Sequence, residues 1–88
     1  MKRTVLVSME VDVTVDETTF TPEFMAEFQA YFFDFDTIED HICHIAQLEA
    51  REVLNRNFTE GYGPLSKMGI EAEVVPYSLA TEIQKAEQ

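Results

Sequence analysis

The residues with the most evident chemical potential are adjacent, in the run Asp40-His41-Ile42-Cys43-His44. On a helix, His41 and His44 are three residues apart and Asp40 and His44 are four apart, so each pair shares a side and could hold one metal ion. A structural zinc site usually needs four ligands, and the chain has no other histidine or cysteine. We therefore expect no cofactor, and a metal site at Asp40, His41 and His44 is kept as an alternative.

Nucleophilic catalysis by the Cys43 thiol would require a base that points at it. Side chains one residue apart on a helix diverge by about 100°, so His44 points away from Cys43, and His41 lies nearly opposite. Cys43 is instead expected to be buried as a small apolar residue, with both histidines partly exposed. Without any catalytic arrangement, the sequence predicts a protein that is not an enzyme.

Glu49 is the odd polar residue on an otherwise apolar helix face. A buried carboxylate is costly unless it is paired, and Arg51 or Arg56 could pair with it. Tyr62 is a further hydrogen-bond donor within reach. The favoured interpretation is structural: Glu49 supports the loop that follows or lies at the edge of the face.

The segment 58–65, Phe-Thr-Glu-Gly-Tyr-Gly-Pro-Leu, has the least generic composition in the chain. Gly61 and Gly63 indicate demanding backbone geometry around Tyr62. The segment has neither the lysine nor the spacing of a phosphate-binding loop. A turn whose Tyr62 and Leu65 cover the core is the favoured interpretation, and a rigid loop that presents Tyr62 to a protein partner is the functional alternative.

Charge is distributed unevenly along this chain of 88 residues, whose net charge is −11. Residues 4–50 contain eleven acidic side chains and no lysine or arginine, whereas the balance is nearer even from Arg51 onward. Such a field repels nucleic-acid phosphates and acidic membranes and favours basic protein surfaces. Solubility alone is the plain alternative explanation. The single cysteine fits a reducing compartment, and no apolar run is long enough to span a bilayer, so a cytoplasmic protein is expected.

Alternation of apolar and polar residues predicts two strands. Residues 4–15 alternate around five valines and predict one long, half-buried strand. Residues 70–74 alternate in the same way, and Pro76 is expected to end that strand or lie at an edge. Residues 78–88 are expected to form a weak helix or a frayed tail, and residues 57–69 a loop.

Two helices are predicted between the strands. Thr21 is a good N-cap, followed by Pro22 at the first helical position, and this helix should fray near residues 33–34. The second helix should start at Asp36 or Thr37, where capping-box spacing occurs, and run to about residue 56.

The order strand-helix-helix-strand predicts a single α+β domain over residues 1–88, with an antiparallel sheet packed on two helices and a short C-terminal helix as an option. A two-stranded sheet is marginal alone. Pairing of exposed strand edges into a four-stranded sheet would relieve this, so a homodimer is a further hypothesis.

Several segments resemble short hypothetical proteins of phages, prophages and related mobile elements. The matching segments are 20–25, Phe-Thr-Pro-Glu-Phe-Met; 41–48, around His-Ile and His-Ile-Ala-Gln-Leu; 60–64, Glu-Gly-Tyr-Gly-Pro; and 68–70, Met-Gly-Ile. This resemblance covers roughly residues 5–75. It implies an accessory role in a phage or prophage and the cytoplasm of a host cell, and it carries no activity and no functional residue.

The sequence thus predicts a non-enzymatic binding protein that engages a protein partner with a basic surface, and not nucleic acid or membrane directly. By analogy with small acidic phage proteins, it could mimic nucleic acid and inhibit a host defence or DNA-binding protein. A structural or assembly homo-oligomer with incidental charge is the alternative. The expected partner-binding residues are six acids without an evident capping role and one aromatic: Asp12, Asp16, Glu17, Glu23, Glu27, Asp34 and Tyr62.

Overall fold

In the computed structural model, which describes residues 1–87, the chain is an α+β domain with two separate two-stranded antiparallel sheets. Its elements, in chain order, are β1 (Lys2–Ser8), β2 (Val11–Thr14), a 3-10 turn (Glu17–Thr19), α1 (Pro22–Tyr31), α2 (Ile38–Ala50), α3 (Leu65–Met68), β3 (Glu71–Val74) and β4 (Ala80–Glu87). The predicted α+β class and the two central helices are confirmed. The first strand, the C-terminal segment and the end of the second helix need correction. The predicted loop over residues 57–69 also needs correction, because its last part forms the short helix α3.

The long first strand is divided in two. β2 pairs with β3, whereas β1 pairs with β4, and the two ladders are separated at residues 9–10 and 75–79. Pro76 has no N–H to donate, and Tyr77 adopts a left-handed conformation with φ of 63°. Residues 75–79 are more numerous than residues 9–10 on the opposite side, so the two segments cannot pair regularly. The predicted first strand is therefore interrupted and becomes β1 and β2.

Residues 80–87 form β4 and not the predicted weak helix or tail. The pairing partner that decides this, β1, is more than seventy residues away in the chain. Gln88, the last position of the predicted tail, lies outside the described residues.

The helix boundaries follow local signals at three of four ends. Thr21 accepts a hydrogen bond from the Phe24 N–H, and Thr37 forms a reciprocal capping box with Asp40. α2, however, ends at Ala50 and not near residue 56, because Glu52 takes a left-handed φ of 60° and the following N–H groups fold back onto the last turn of the helix.

The core lies between the helices and the inner face of the β2–β3 sheet. Its buried apolar side chains come from six parts of the chain: Phe20, Phe28, Ile45, Tyr62, Leu65, Ile70 and Ala72. α2 packs against both β2 and β3. Since Val13 pairs with Ala72, the inner face is apolar, and the alternate residues of both strands lie on the outer face.

The β1–β4 ribbon lies apart from this core. Every residue of β1 is exposed, and β1 and β4 contact chiefly each other. The radius of gyration is 16.0 Å, against roughly 12 Å for a compact chain of this length. The principal extents of 52 × 28 × 20 Å fit a ribbon that projects from the rest of the molecule.

The outer face of the β2–β3 sheet carries a like-charge pair. Asp12 and Glu73 are directly opposite in the antiparallel register, and both are exposed. Glu71, two residues from Glu73, adds a third carboxylate to that face. Like charges directly opposite each other destabilise a sheet, so repulsion between these carboxylates weakens the pairing of β2 with β3.

We expect Asp12→Lys and Glu73→Lys each to raise the free energy of unfolding by about 0.5 kcal/mol, since each converts the opposed pair into one of opposite charge. The double variant should lose this gain, because two lysines then face each other. Chemical denaturation at low salt measures all four proteins. Relief of overall negative charge alone would instead give additive gains in the double variant, and that result would contradict a pairwise interaction.

Candidate functional site

Exposed aromatic side chains surround one open groove with a volume of about 510 Å³. The groove lies between the end of α1, the side of α2 and the loop after α2. We call it the aromatic groove; its lining residues are Tyr31, Phe32, Phe33, His44, Leu48, Arg51, Val53, Phe58, Thr59 and Glu60. The Tyr31 side chain is 76% exposed and that of Phe58 62%. Exposed large apolar side chains gathered in one place mark interaction surfaces in soluble proteins.

The chain that links α1 to α2 holds one wall of the groove. Phe33 stacks on Phe35 with 5.4 Å between ring centroids, and its ring lies 5.2 Å from that of His44 on α2. The Gln29 side-chain amide donates to the Phe35 carbonyl at 2.7 Å, which fixes the linker to the last turns of α1. Because both helices anchor it, this wall is preformed and needs little ordering on binding.

A buried histidine lies beneath the groove. His41 is 0% exposed, and its Nδ1 is 2.8 Å from the Tyr62 hydroxyl, which is also buried. Phe28 and Phe35 stand nearly perpendicular to the imidazole, with centroids 4.6 and 5.0 Å away. Within residues 1–87, His41 Nε2 is buried and has no hydrogen-bond partner. The site therefore accommodates a neutral imidazole and disfavours a cation.

Burial lowers the pKa of His41 below its ordinary value, and the neighbouring His44 lowers it further, while Asp40 acts in the opposite direction. Burial also lowers the pKa of His44, with Arg51 as the second cause. The pKa of Tyr62 is raised by burial, so its hydroxyl keeps its proton and remains a donor. The His41–Tyr62 pair is thus neutral at physiological pH.

Two glycines place Tyr62 against His41. Thr59 and Gly63 form an isolated β-bridge, and the N–H groups of Tyr62 and Gly63 both donate to the Thr59 carbonyl at 2.9 Å. Gly61 has φ of 91°, and a Cβ added there would lie 2.4 Å from the Phe28 ring. Gly63 has φ of 71°, but a Cβ there would meet no atom within 4 Å. Gly61 is therefore required for packing and Gly63 for backbone conformation alone.

Glu49 pairs with Arg56, one of its two predicted partners. Arg56 Nη2 donates to Glu49 Oε2 and to the Ala72 carbonyl, each at 2.7 Å. Since the Glu49 side chain is largely buried and the two acceptors belong to α2 and β3, this guanidinium ties the helix to the sheet. The favoured structural role of Glu49 agrees with this geometry.

The six acids expected to bind a partner are exposed but do not form one cluster on a single element. Asp12 lies on the outer face of the β2–β3 sheet. Glu23 and Glu27 are one turn apart on α1, and Glu27 is one turn before Tyr31 of the aromatic groove. Asp34 adjoins Phe33. Glu27 and Asp34 are therefore close in the chain to residues that line the groove, although neither lines it.

Asp16 and Glu17 lie at the 3-10 turn. The Asp16 carboxylate accepts hydrogen bonds from the Thr18 hydroxyl at 2.6 Å and from the Thr18 N–H at 3.0 Å. These bonds hold the pKa of Asp16 below its ordinary value. The expectation that Asp16 has no local role is therefore wrong, since it caps the turn.

Tyr62 is not a surface contact residue. Its side chain is 5% exposed because the glycine-flanked turn directs it inward onto His41 and Phe28. The expected presentation of Tyr62 to a partner is corrected, and the favoured interpretation of the turn, in which Tyr62 covers the core, is confirmed.

The predicted alternative metal site does not assemble. The Asp40 carboxylate accepts from the N–H groups of Asp36 and Thr37 in the capping box, and His41 is enclosed by aromatic rings. Across the described residues 1–87, no three histidine, cysteine or acidic side chains come together as a ligand set. Cys43 is exposed and His41 buried, the reverse of expectation, because the buried face of α2 includes His41 and Ile45.

Sequence reasoning missed the aromatic groove. The sequence predictions place positions 31–33 at the end of the first helix and Phe58 in the loop over residues 57–69, and neither prediction brings them together. One signal was present: three consecutive aromatics, at positions 31–33, point in different directions at a helix end and cannot all be buried on one face.

Comparisons with protein-family models, curated proteins and solved structures found no match. Among the described residues, no helix is long and apolar enough to cross a membrane.

We expect Gly61→Ala to lower the free energy of unfolding by about 2–4 kcal/mol, because it combines a left-handed backbone with a clash against the Phe28 ring. Gly63→Ala is the matched control, with the same kind of backbone conformation and open space. It should cost only about 1–2 kcal/mol. Urea unfolding measures both, and equal losses would contradict the close packing of Gly61 on Phe28.

Stability should fall as the pH falls below about 6.5, the ordinary pKa of histidine. The pKa of His41 is lower in the folded state than in the unfolded chain. Between these two pKa values the unfolded chain binds the proton and the folded protein does not, so protonation favours unfolding as the pH falls through this range. For one histidine, the free energy of unfolding changes with pH by at most about 1.4 kcal/mol per pH unit. Urea titrations between about pH 7.5 and about pH 5, on both sides of the ordinary histidine pKa, measure it.

His41→Asn keeps an acceptor for Tyr62 and removes the titration, so most of this slope should disappear. His44→Asn is the control and should leave the His41 share in place. An unchanged slope in His41→Asn would show that other groups account for the pH dependence.

Proposed function

We propose that this protein is a non-enzymatic binding protein that engages a protein partner through the aromatic groove and the acids beside it. The observation that carries the proposal is the groove itself, where exposed Tyr31, Phe33 and Phe58 surround an open space on a small, highly charged protein. A stable protein contact commonly combines buried aromatic and arginine anchors with a polar rim. Arg51 lines the same groove.

The charge around the groove favours a basic partner. Glu60 lines the groove, Glu27 lies one turn from Tyr31, and Asp34 follows Phe33 directly. A partner that inserts an apolar side chain and surrounds it with lysine or arginine would satisfy both features. The expected electrostatic contribution is sensitive to salt, since these carboxylates are exposed.

In its more specific form, the proposal is an accessory factor of phage or prophage origin that acts in the host cytoplasm. The partner would be a host defence or DNA-binding protein whose nucleic-acid site this acidic surface occupies. The phage origin rests on the sequence resemblance, and the mimicry rests on the net charge of −11 and on the opposed carboxylates of Asp12 and Glu73. A cationic partner would relieve the repulsion between those two carboxylates.

The second candidate is a structural or assembly module, and one observation favours it. The β1–β4 ribbon exposes apolar side chains that the rest of the chain does not cover. In that case the acidic surface would serve solubility.

Partner capture from the cytosol of the cell that carries the gene tests the leading proposal. We expect Tyr31→Ala to reduce the captured partner about tenfold, because an exposed aromatic anchor is lost. Glu27→Lys with Asp34→Lys should reduce capture at low salt. Tyr77→Asn is the matched control, since Tyr77 is also an exposed tyrosine but lies outside the groove, and asparagine tolerates its left-handed backbone.

A captured protein should bind nucleic acid less well in the presence of this protein if the mimicry is correct. Retained capture by both the Tyr31 and the acidic variants would exclude the groove as the binding surface. Capture that is insensitive to salt would exclude the electrostatic contribution.

A further inference from the structure

We propose that the β1–β4 ribbon is a homodimer interface, in which β1 of two copies pairs antiparallel across a two-fold axis at Val5. The resulting sheet would have the strand order β4–β1–β1–β4. This inference does not rest on the proposed partner binding, since it uses a different surface of the molecule.

The ribbon is incomplete as an isolated structure. Val5, Leu6 and Val7 are 45%, 51% and 57% exposed, and Ile83, which pairs with Val5, is 66% exposed. In the part of the chain that the structure describes, the sheet has only β1 and β4, so each strand has an outer edge without a strand partner. A two-stranded ribbon is marginal in water, and an exposed apolar edge favours the addition of another strand.

The charge distribution favours a second copy of this chain as the partner that pairs with the exposed edge of the ribbon. The ribbon segments, 1–8 and 79–87, contain three basic and two acidic residues, whereas the body, residues 9–78, contains three basic and fifteen acidic ones. Two copies that met through their bodies would repel each other strongly. Among the surfaces that residues 1–87 form, the ribbon is where another copy can approach with the least repulsion.

The two outer edges of the ribbon differ, and the difference favours β1 over β4 as the strand that pairs with the second copy. The register shifts between Thr4 and Val5, which pair with Lys85 and Ile83, so Gln84 is the extra residue of a bulge on β4. A bulge bends a strand and protects its edge against further pairing. The β1 edge is regular at that point and has three consecutive apolar residues at its centre.

The direction of pairing follows from the charges at the ends of β1. In a parallel arrangement, Lys2 and Arg3 of both copies would be adjacent, and the two acidic bodies would lie side by side. In an antiparallel arrangement centred on Val5, the middle residue of β1, Lys2 lies opposite Ser8 of the other copy. The bodies then lie at opposite ends of the sheet, and the interface is isologous.

An edge contact over one strand is small, so we expect a dissociation constant on the order of 10 μM. Sedimentation velocity of the full chain, over concentrations from about one tenth to ten times that value, should show a monomer–dimer equilibrium. Dimerisation should persist when salt is raised, because salt screens the repulsion between the bodies. Monomer alone over the whole range overturns the proposal.

Cross-linking tests the arrangement. In a Cys43→Ser background, Val5→Cys places two thiols directly opposite at the two-fold axis, with Cβ atoms about 5 Å apart, and a short thiol-reactive cross-linker should join the two copies. Ile83→Cys is the matched control. It lies beside Val5 but on β4, so its counterpart is three strand spacings away, about 14 Å. We expect no cross-linked dimer from it.

Each other outcome overturns the proposed arrangement. Cross-linking of Ile83→Cys alone indicates pairing through β4, and cross-linking of both variants indicates face-to-face stacking of ribbons. Monomeric protein that co-sediments with vesicles of anionic phospholipid assigns the ribbon to a membrane surface instead of a second copy.

Val5→Lys, which places two lysines opposite each other at the two-fold axis, should give a monomer whose body unfolds as in the unchanged protein.

Discussion

The structure depends on the buried hydrogen bond between His41 and Tyr62. This hydrogen bond joins α2 to the glycine-flanked turn. The His41 ring lies among the phenyl rings of Phe20, Phe24, Phe28 and Phe35. A buried polar pair is stable only when it is satisfied or neutral. The requirements for a neutral imidazole and for a protonated tyrosine follow from this one contact. Gly61 allows the turn that carries Tyr62 to approach the Phe28 ring closely.

The aromatic groove lies on the outer side of the same cluster. Phe33 and Phe35 contact His44, and Phe28 contacts both Phe35 and His41, so the ring packing is continuous from the buried histidine to the exposed wall. The surface proposed for binding is therefore supported by the core. This continuity explains how a small domain can hold aromatic side chains in solvent without their collapse onto one another.

The molecule also separates its two surfaces by charge. The body is strongly acidic and carries the groove, whereas the ribbon has almost no net charge and carries exposed aliphatic residues. A basic partner would be attracted to the first surface, and a second copy would meet least repulsion at the second. An antiparallel pair of ribbons would leave both grooves open at opposite ends of the assembly, so the two proposed interactions are compatible.

Local signals in the sequence determined the helix starts and the α+β class. Thr21-Pro22 and Thr37 with Asp40 act within one turn, so neighbouring residues suffice to specify them. The choice of Arg56 over Arg51 as the partner of Glu49 needed the structure, because α2 ends at Ala50 and Arg56 lies in the chain that follows it. Only the tertiary structure decided the burial of His41, the strand β4 and the aromatic groove. His41 became buried because the Tyr62 turn closes over it, and β4 formed because β1 pairs with it. Positions 31–33 line the groove because α2 and the loop after it lie beside the end of α1. These outcomes depend on contacts between residues distant in the chain, which periodicity along the sequence does not encode.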